Sequence, residues 1–154
     1  MFELHLEIEN EELRKMYQKQ IDVINKTYSF TTSDSGFDLF IPCDYTVKPK
    51  ETVMIDLQIK CQPKFAGGYY LFPRSSFGKT PLRLKNSVGI IDNQYRNFVK
   101  ALVENTSDTE TVEMKKGERY FQFCHPSLIA MKPVIVDKLN TTVRGNGGFG
   151  STGK

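Results

Sequence analysis

Five short segments of this sequence collect the residue types that handle phosphate groups. Ser35 to Phe40, SGFDLF, carries one acid, Asp38, inside an otherwise apolar run. Burying such a group is costly unless it has a partner or a metal-bound water. Pro73 to Lys79, PRSSFGK, sets the Arg74 guanidinium beside the hydroxyls of Ser75 and Ser76, a compact anion clamp. Asn86 to Arg96, NSVGIIDNQYR, reads as a hairpin with an acid, Asp92, and an aromatic, Tyr95, near its bend. Lys116 to Phe123, KGERYFQF, is a turn leading into a strand, with Arg119 and Gln122 on it. The last ten residues, GNGGFGSTGK, hold five of the 11 glycines. Taken singly, each segment also reads as ordinary structure: a solvated loop, a turn acid, a structural arginine, a glycine-rich terminus.

Gly148 to Lys154, GFGSTGK, formally satisfies the spacing GxxxxGK of a P-loop. A P-loop also needs a following Ser or Thr and a helix N-terminus aimed at the phosphates, and neither follows here. The expected reading is a segment whose N–H groups, with Ser151, Thr152 and Arg144, wrap a polyphosphate from outside while Phe149 lies over a flat ring. Other chemistries are poorly supplied. With only two histidines, His5 and His125, a His-rich zinc site is not expected. Cys124 and His125 are adjacent, so on a strand they point to opposite faces and read as packing or surface residues. Catalysis must rest on carboxylates and phosphate binders, with or without a metal.

The elements that must position these residues are mostly strands. Val53, Ile55, Leu57, Ile59 and Cys61 alternate with Met54, Asp56, Gln58 and Lys60, the strongest period of two in the chain. Further strands are expected at Phe37 to Ile41, Tyr69 to Phe72, Phe98 to Glu104, Arg119 to Phe123 and Val134 to Val136. Turns are expected at Pro49-Lys50, Gly67-Gly68, Asp108-Thr109 and Lys116-Gly117. One amphipathic helix is expected from Asn10 to Ile24, with Leu13, Met16, Tyr17, Ile21 and Ile24 on one face and Asn10 as its cap. Many short strands at this spacing predict an all-β jelly roll, sandwich or barrel. The 154 residues amount to one domain.

Composition narrows the class. Hydrophobic residues make up 39%, charged residues 25%, and the net charge is +3. That is ordinary for a folded soluble protein and too mildly basic to imply nucleic-acid binding. No apolar run approaches the roughly 20 residues of a membrane span, and the acidic, interrupted N-terminus does not resemble a signal peptide. Three widely spaced cysteines without a CxxC fit a reduced intracellular compartment, cytoplasmic or nuclear.

Together and in order, the five segments resemble the five motifs of the trimeric dUTPases (deoxyuridine 5′-triphosphate nucleotidohydrolases), over residues 28–154. The third and fifth are the most specific. The resemblance implies a β jelly-roll subunit with an added N-terminal amphipathic helix. Residues 1–27 would be an extension, 28–143 the β domain, and 144–154 a flexible arm closing over the substrate. It implies hydrolysis of dUTP to dUMP and pyrophosphate with Mg²⁺, keeping uracil out of DNA and supplying dUMP for thymidylate synthesis. The partner implied is a second and third copy, in a homotrimer with shared active sites. By the same resemblance Asp92 deprotonates the water that attacks the α-phosphorus, and Tyr95 packs under the deoxyribose and blocks a 2′-hydroxyl. Gly89, Ile90, Ile91 and Lys100 read uracil, with Asn86 holding its edge through water. Arg74, Ser75, Ser76 and Gln122 bind phosphates, and Asp38 holds the metal through water. Arg144, Gly150, Ser151 and Thr152 close over the γ-phosphate, with Phe149 on uracil.

The sequence departs from the motifs at two places. Asn97 stands where glycine is usual, and Phe121 replaces a smaller apolar residue. Two other readings remain at this level: a dCTP deaminase of the same superfamily, which resembles the chain poorly at Tyr95 and in the tail, and a catalytically inactive scaffold, against which Asp92 argues.

Overall fold

The computed structural model describes residues 2–29, 31–145, 147 and 153. Strand β1 (Glu3–Glu7) is followed by helix α1 (Glu11–Thr27), β2 (Gly36–Phe40), β3 (Tyr45–Val47) and β4 (Thr52–Asp56). The chain continues through β5 (Lys60–Pro63), β6 (Tyr69–Pro73), a 3-10 turn at Ser75–Lys79 and β7 (Leu82–Leu84). Then come β8 (Gly89–Ile91), β9 (Lys100–Asn105), β10 (Val112–Met114), β11 (Arg119–Cys124) and β12 (Lys132–Val136). Strands dominate, with one α-helix among the described residues, as the turn spacing predicts. That helix is not long and apolar enough to cross a membrane.

The strands form sheets of order β2-β11-β6-β8, β12-β1-β5, β4-β9-β7 and β10-β3. Their alternation supplies the core: Leu4, Leu6, Leu39, Ile55, Leu57, Ile59, Val103, Phe121 and Phe123 are completely buried. Each such side chain contributes about 1.5–3 kcal/mol of transfer free energy.

The alternating run from Val53 to Cys61 is divided between two strands in different sheets. The break lies at Gln58, whose backbone is left-handed (φ 55°) and whose N–H donates to Asp56 Oδ1 at 2.8 Å. Leu57 and Ile59 nevertheless stay buried, because Val99 bonds both of their backbones, at 3.0 and 2.9 Å. Period two reports burial, which survives the break; it does not report the pairing partner.

Strand β1 is absent from the sequence reading, although Leu4, Leu6 and Ile8 do alternate. It lies between β12, to which it is parallel, and β5. Its acids conceal the pattern because they are paired: Glu7 accepts from Leu139 N at 2.8 Å and contacts Lys60. The segment before residue 28 is therefore woven into the main sheets and the core.

Helix α1 forms where expected and runs three residues further, to Thr27. Asn10 caps it by accepting from Leu13 N at 3.0 Å, and Glu11 and Glu12 complement the positive end of the helix dipole. Its buried face is Leu13, Tyr17 and Ile21. The Tyr17 ring lies against Phe40 (centroids 5.0 Å) and Phe37 (5.9 Å). Its hydroxyl accepts the Phe40 N–H at 3.0 Å. Burial pushes that hydroxyl's pKa far above the ordinary phenol value, so it stays neutral.

Tyr17→Phe keeps the ring packing and removes the acceptor, leaving a buried N–H unpaired at a cost of about 1–3 kcal/mol. Calorimetry should show Tm falling by roughly 2–4 °C per kcal/mol. An unchanged Tm would mean that the Phe40 N–H finds another partner.

Candidate active site

Two clusters gather the candidate residues, one at each edge of the β2-β11-β6-β8 sheet. The first is built on β8. Gly89, Ile90 and Ile91 pair with Leu71, Tyr70 and Tyr69 of β6. The close approach requires glycine at position 68, since a Cβ there would run into the Ile91 carbonyl oxygen. The chain then turns, with Tyr95 N donating to Asp92 O at 3.0 Å. Asn93 ties this turn to the neighbouring loop through the carbonyls of Phe65 (2.8 Å) and Gly67 (3.0 Å). Arg96 is buried and fastens it from below, donating to the carbonyls of Asn93 (2.6 Å) and Tyr95 (3.0 Å) and to Asn140 Oδ1 (3.0 Å). Tyr95 spends its own hydroxyl on Phe98 O, at 2.7 Å.

These contacts define a pocket of about 220 Å³. Asn86, Gly89, Ile90, Ile91, Asp92, Tyr95, Lys100 and Arg144 line it, with Leu71, Val99 and Ala101. The Asp92 carboxylate is exposed at its rim. Arg144 pairs with it and lies 5.5 Å from the centre of the Tyr95 ring. The seven residues expected to serve base, sugar and catalysis (Asn86, Gly89, Ile90, Ile91, Asp92, Tyr95 and Lys100) thus meet in one place, with Arg144 beside them.

The second cluster centres on Asp38 of β2. One oxygen accepts Arg74 Nε at 2.8 Å, and the other faces an Arg119 terminal nitrogen at 3.2 Å. Arg74 also donates to the Arg119 carbonyl at 3.0 Å, which locks the two arginines together. Gln122 stands opposite Asp38 on β11 and donates to Pro73 O at 3.1 Å. Its amide lies so close over Gly36 that a Cβ there would strike Oε1. Asp38, Arg74, Ser75, Arg119 and Gln122 share a groove of about 1170 Å³ that extends along α1. Ser76 is exposed in the adjacent 3-10 turn. Two guanidinium groups against one carboxylate leave a net positive site, suited to a polyanion.

The two clusters share no lining residue. Three strand spacings separate β2 from β8, roughly 14 Å. Phe149, Gly150, Ser151 and Thr152 lie outside the described residues.

Three functional side chains escaped the sequence reading. Asn93 and Arg96 hold the hairpin that carries Asp92, and Arg119, read there as structural, faces Asp38. Arg96 belongs to a recognised segment, but its reach to Asn140, 44 residues away, has no local signature. The two departures are accommodated. Asn97 accepts the Phe98 N–H at 2.7 Å, and Phe121 is fully buried against Phe77 (5.6 Å) beside a register shift between Arg119 and Phe121.

Cys124 and His125 are both packed inside. The His125 ring lies tilted against Phe2 (4.0 Å) and edge-on to Phe65 (4.7 Å), and burial pushes the Cys124 thiol away from the thiolate. Among the described residues no three His, Cys, Asp or Glu side chains converge as metal ligands. Asp38, with both oxygens facing arginine, fits a metal ion held indirectly rather than by a cage of protein ligands.

Comparison with known proteins agrees with this geometry. The chain is 36% identical over 125 residues to the deoxyuridine 5′-triphosphate nucleotidohydrolase of Nautilia profundicola, covering 80% of this chain and 87% of that protein. It is 33% identical over 133 residues to the enzyme of the same name from Fowlpox virus, covering 82% and 88%. A crystal structure of dUTPase from Streptococcus mutans superimposes with a TM-score of 0.55 at 30% identity, over 63% of this chain and 80% of that one. The dUTPase family model matches residues 20–153, a span that takes in both clusters. On that match the chain belongs to the dUTPase family.

Proposed function

We propose that this protein hydrolyses dUTP to dUMP and pyrophosphate, by attack of water on the α-phosphorus with Asp92 as general base. The observation that carries this reading is the fixed turn that sets Asp92 and Tyr95 at the rim of a small pocket walled by β8. That strand pairs with β6 alone among the described strands, so its other edge offers main-chain N–H and C=O groups to a flat base. Uracil matches such an edge. Cytosine exchanges a donor for an acceptor and leaves buried groups unpaired. Tyr95, held by Phe98 O, presents its ring to the sugar, and a 2′-hydroxyl has no room against it.

Asp92 is exposed enough to hold a water, and the Arg144 guanidinium pairs with its carboxylate and fixes its direction. Arg74, Arg119, Ser75 and Ser76 take the phosphate chain, and charge developing on the leaving pyrophosphate falls on the two guanidinium groups. The family is metal-dependent. We assign Mg²⁺, held through water by Asp38, and when bound it neutralises phosphate charge. The arm residues Phe149, Gly150, Ser151 and Thr152 are assigned to uracil and the γ-phosphate on the family motif alone. In the cell this reaction keeps uracil out of DNA and supplies dUMP for thymidylate synthesis.

A homotrimer with shared sites is part of the proposal, and the two separate clusters support it. One chain holds a base-and-catalysis pocket and a phosphate groove at opposite sheet edges; a neighbour's groove brought against the pocket makes one site. In this structure Arg144 stays on the Asp92 of its own chain, so the arm begins at the pocket it would close.

Turnover with dUTP and dCTP, following pyrophosphate and ammonia separately, tests the reaction. Pyrophosphate from dUTP is expected; ammonia from dCTP would assign the chain to deamination instead. Asp92→Asn should lower kcat about 10²–10⁴-fold with the fold intact, whereas a near-native rate would place the base elsewhere.

Tyr95→Ala should raise the activity on UTP relative to dUTP. If UTP stays equally excluded, the ring is not the sugar gate.

Shared sites predict complementation. Asp92→Asn and Arg74→Ala should each be inactive alone. Refolded together, they should regain a fraction of native activity, from sites pairing an intact groove with an intact pocket. Verified mixed oligomers that stay inactive would show that each site is built within one chain.

A further inference from the structure

Helix α1 carries none of the five motifs, yet two of its side chains end on the strand that bears Asp38. β2 is an edge strand: β11 bonds one side of its backbone, and among the described residues no strand bonds the other. On that open side the Tyr17 hydroxyl accepts the Phe40 N–H, and Gln20 Nε2 donates to the Asp38 carbonyl at 3.1 Å. Tyr17 and Gln20 are three residues apart and share one helix face. They supply the bonds that a neighbouring strand would make, one at each end of Asp38–Phe40. Gln20 Oε1 is itself buried without a hydrogen-bond partner, and Gln20 lines the same groove as Asp38, Arg74 and Arg119.

We propose that Gln20 is a positioning residue for the phosphate end of the site, setting the depth of Asp38 and through it the spacing of Arg74 and Arg119. The inference rests on the assignment of that groove to the phosphate chain. Arg74 and Arg119 both orient on the Asp38 carboxylate, so their geometry follows the backbone of β2. An unpaired Asp38 carbonyl lets β2 shift away from α1 and carries both guanidinium groups with it. The pocket at β8 lies at the opposite sheet edge and shares no lining residue with the groove. The effect is therefore confined to ligands that bear a phosphate chain.

The test compares Gln20→Ala and Gln20→Met with the native protein. Met keeps the side-chain stem but cannot donate, and both residues are good helix formers, so the helix is retained. Calorimetric titration with inorganic tripolyphosphate should show binding weakened about 3–10-fold in both variants, the loss of one net hydrogen bond. KM for dUTP should rise by a similar factor with kcat within about two-fold. Inhibition by deoxyuridine, which has no phosphate, should not change. Native tripolyphosphate affinity in both variants overturns the proposal. So does recovery in Gln20→Met, which would make the stem's packing the cause, or a parallel loss of deoxyuridine binding, which would make the effect global. A native protein that binds tripolyphosphate but does not turn over dUTP would overturn the assigned reaction, and the tripolyphosphate comparison would still decide the role of Gln20.

Discussion

An edge strand leaves half of its backbone donors and acceptors without a strand to bond, and those groups must be covered or used. The four-stranded sheet of this protein has two such edges, and they are treated in opposite ways. At β2 the open side is closed by side chains of α1, with Tyr17 and Gln20 standing in for a strand. At β8 the open side borders the small pocket and remains available to a ligand. One edge thus holds an acid in place, and the other stays open beside a pocket. The placement of both clusters follows from this single asymmetry.

The charged groups at the two ends serve geometry more than stability. Asp38 is partly exposed, as are Arg74 and Arg119, and ion pairs of that kind contribute about 0–1 kcal/mol. Their value lies in the rigid fork of arginine, which fixes direction as well as charge. Stability comes instead from the aliphatic and aromatic core, which reaches from Leu4 and Leu6 on β1 through Tyr17 on α1 to Phe121 and Phe123 on β11. The two arginines at Asp38 are therefore free to exchange partners at little cost to the fold.

Arg96 illustrates the opposite case. It is buried, and burial disfavours its charge. That cost is offset by bonds to two carbonyls of the hairpin and to Asn140. The product is a turn in which Asp92 and Tyr95 have one relative position. Such rigidity holds a carboxylate in one direction even though its own side chain stands in solvent at a pocket rim.

The sequence alone determined the class of fold, the helix with its Asn10 cap, most strand positions, and the segments that carry chemistry. These are local properties: a period of two or 3.6, a capping oxygen, a glycine where φ is positive, as at Gly117 (φ 86°). What it left open is everything that depends on which segments meet. The run from Val53 to Cys61 shows burial in its spacing, but its division between two sheets depends on Val99, some forty residues later. β1 was concealed because its acids look solvent-facing until Lys60 and the Leu139 N–H are beside them. Arg119 reads as a structural arginine until β11 lies against β2 and brings it to Asp38. Only the tertiary structure decided that the pocket at β8 and the groove at β2 stand apart, because the distance between them is set by strand order, and strand order has no periodicity to read.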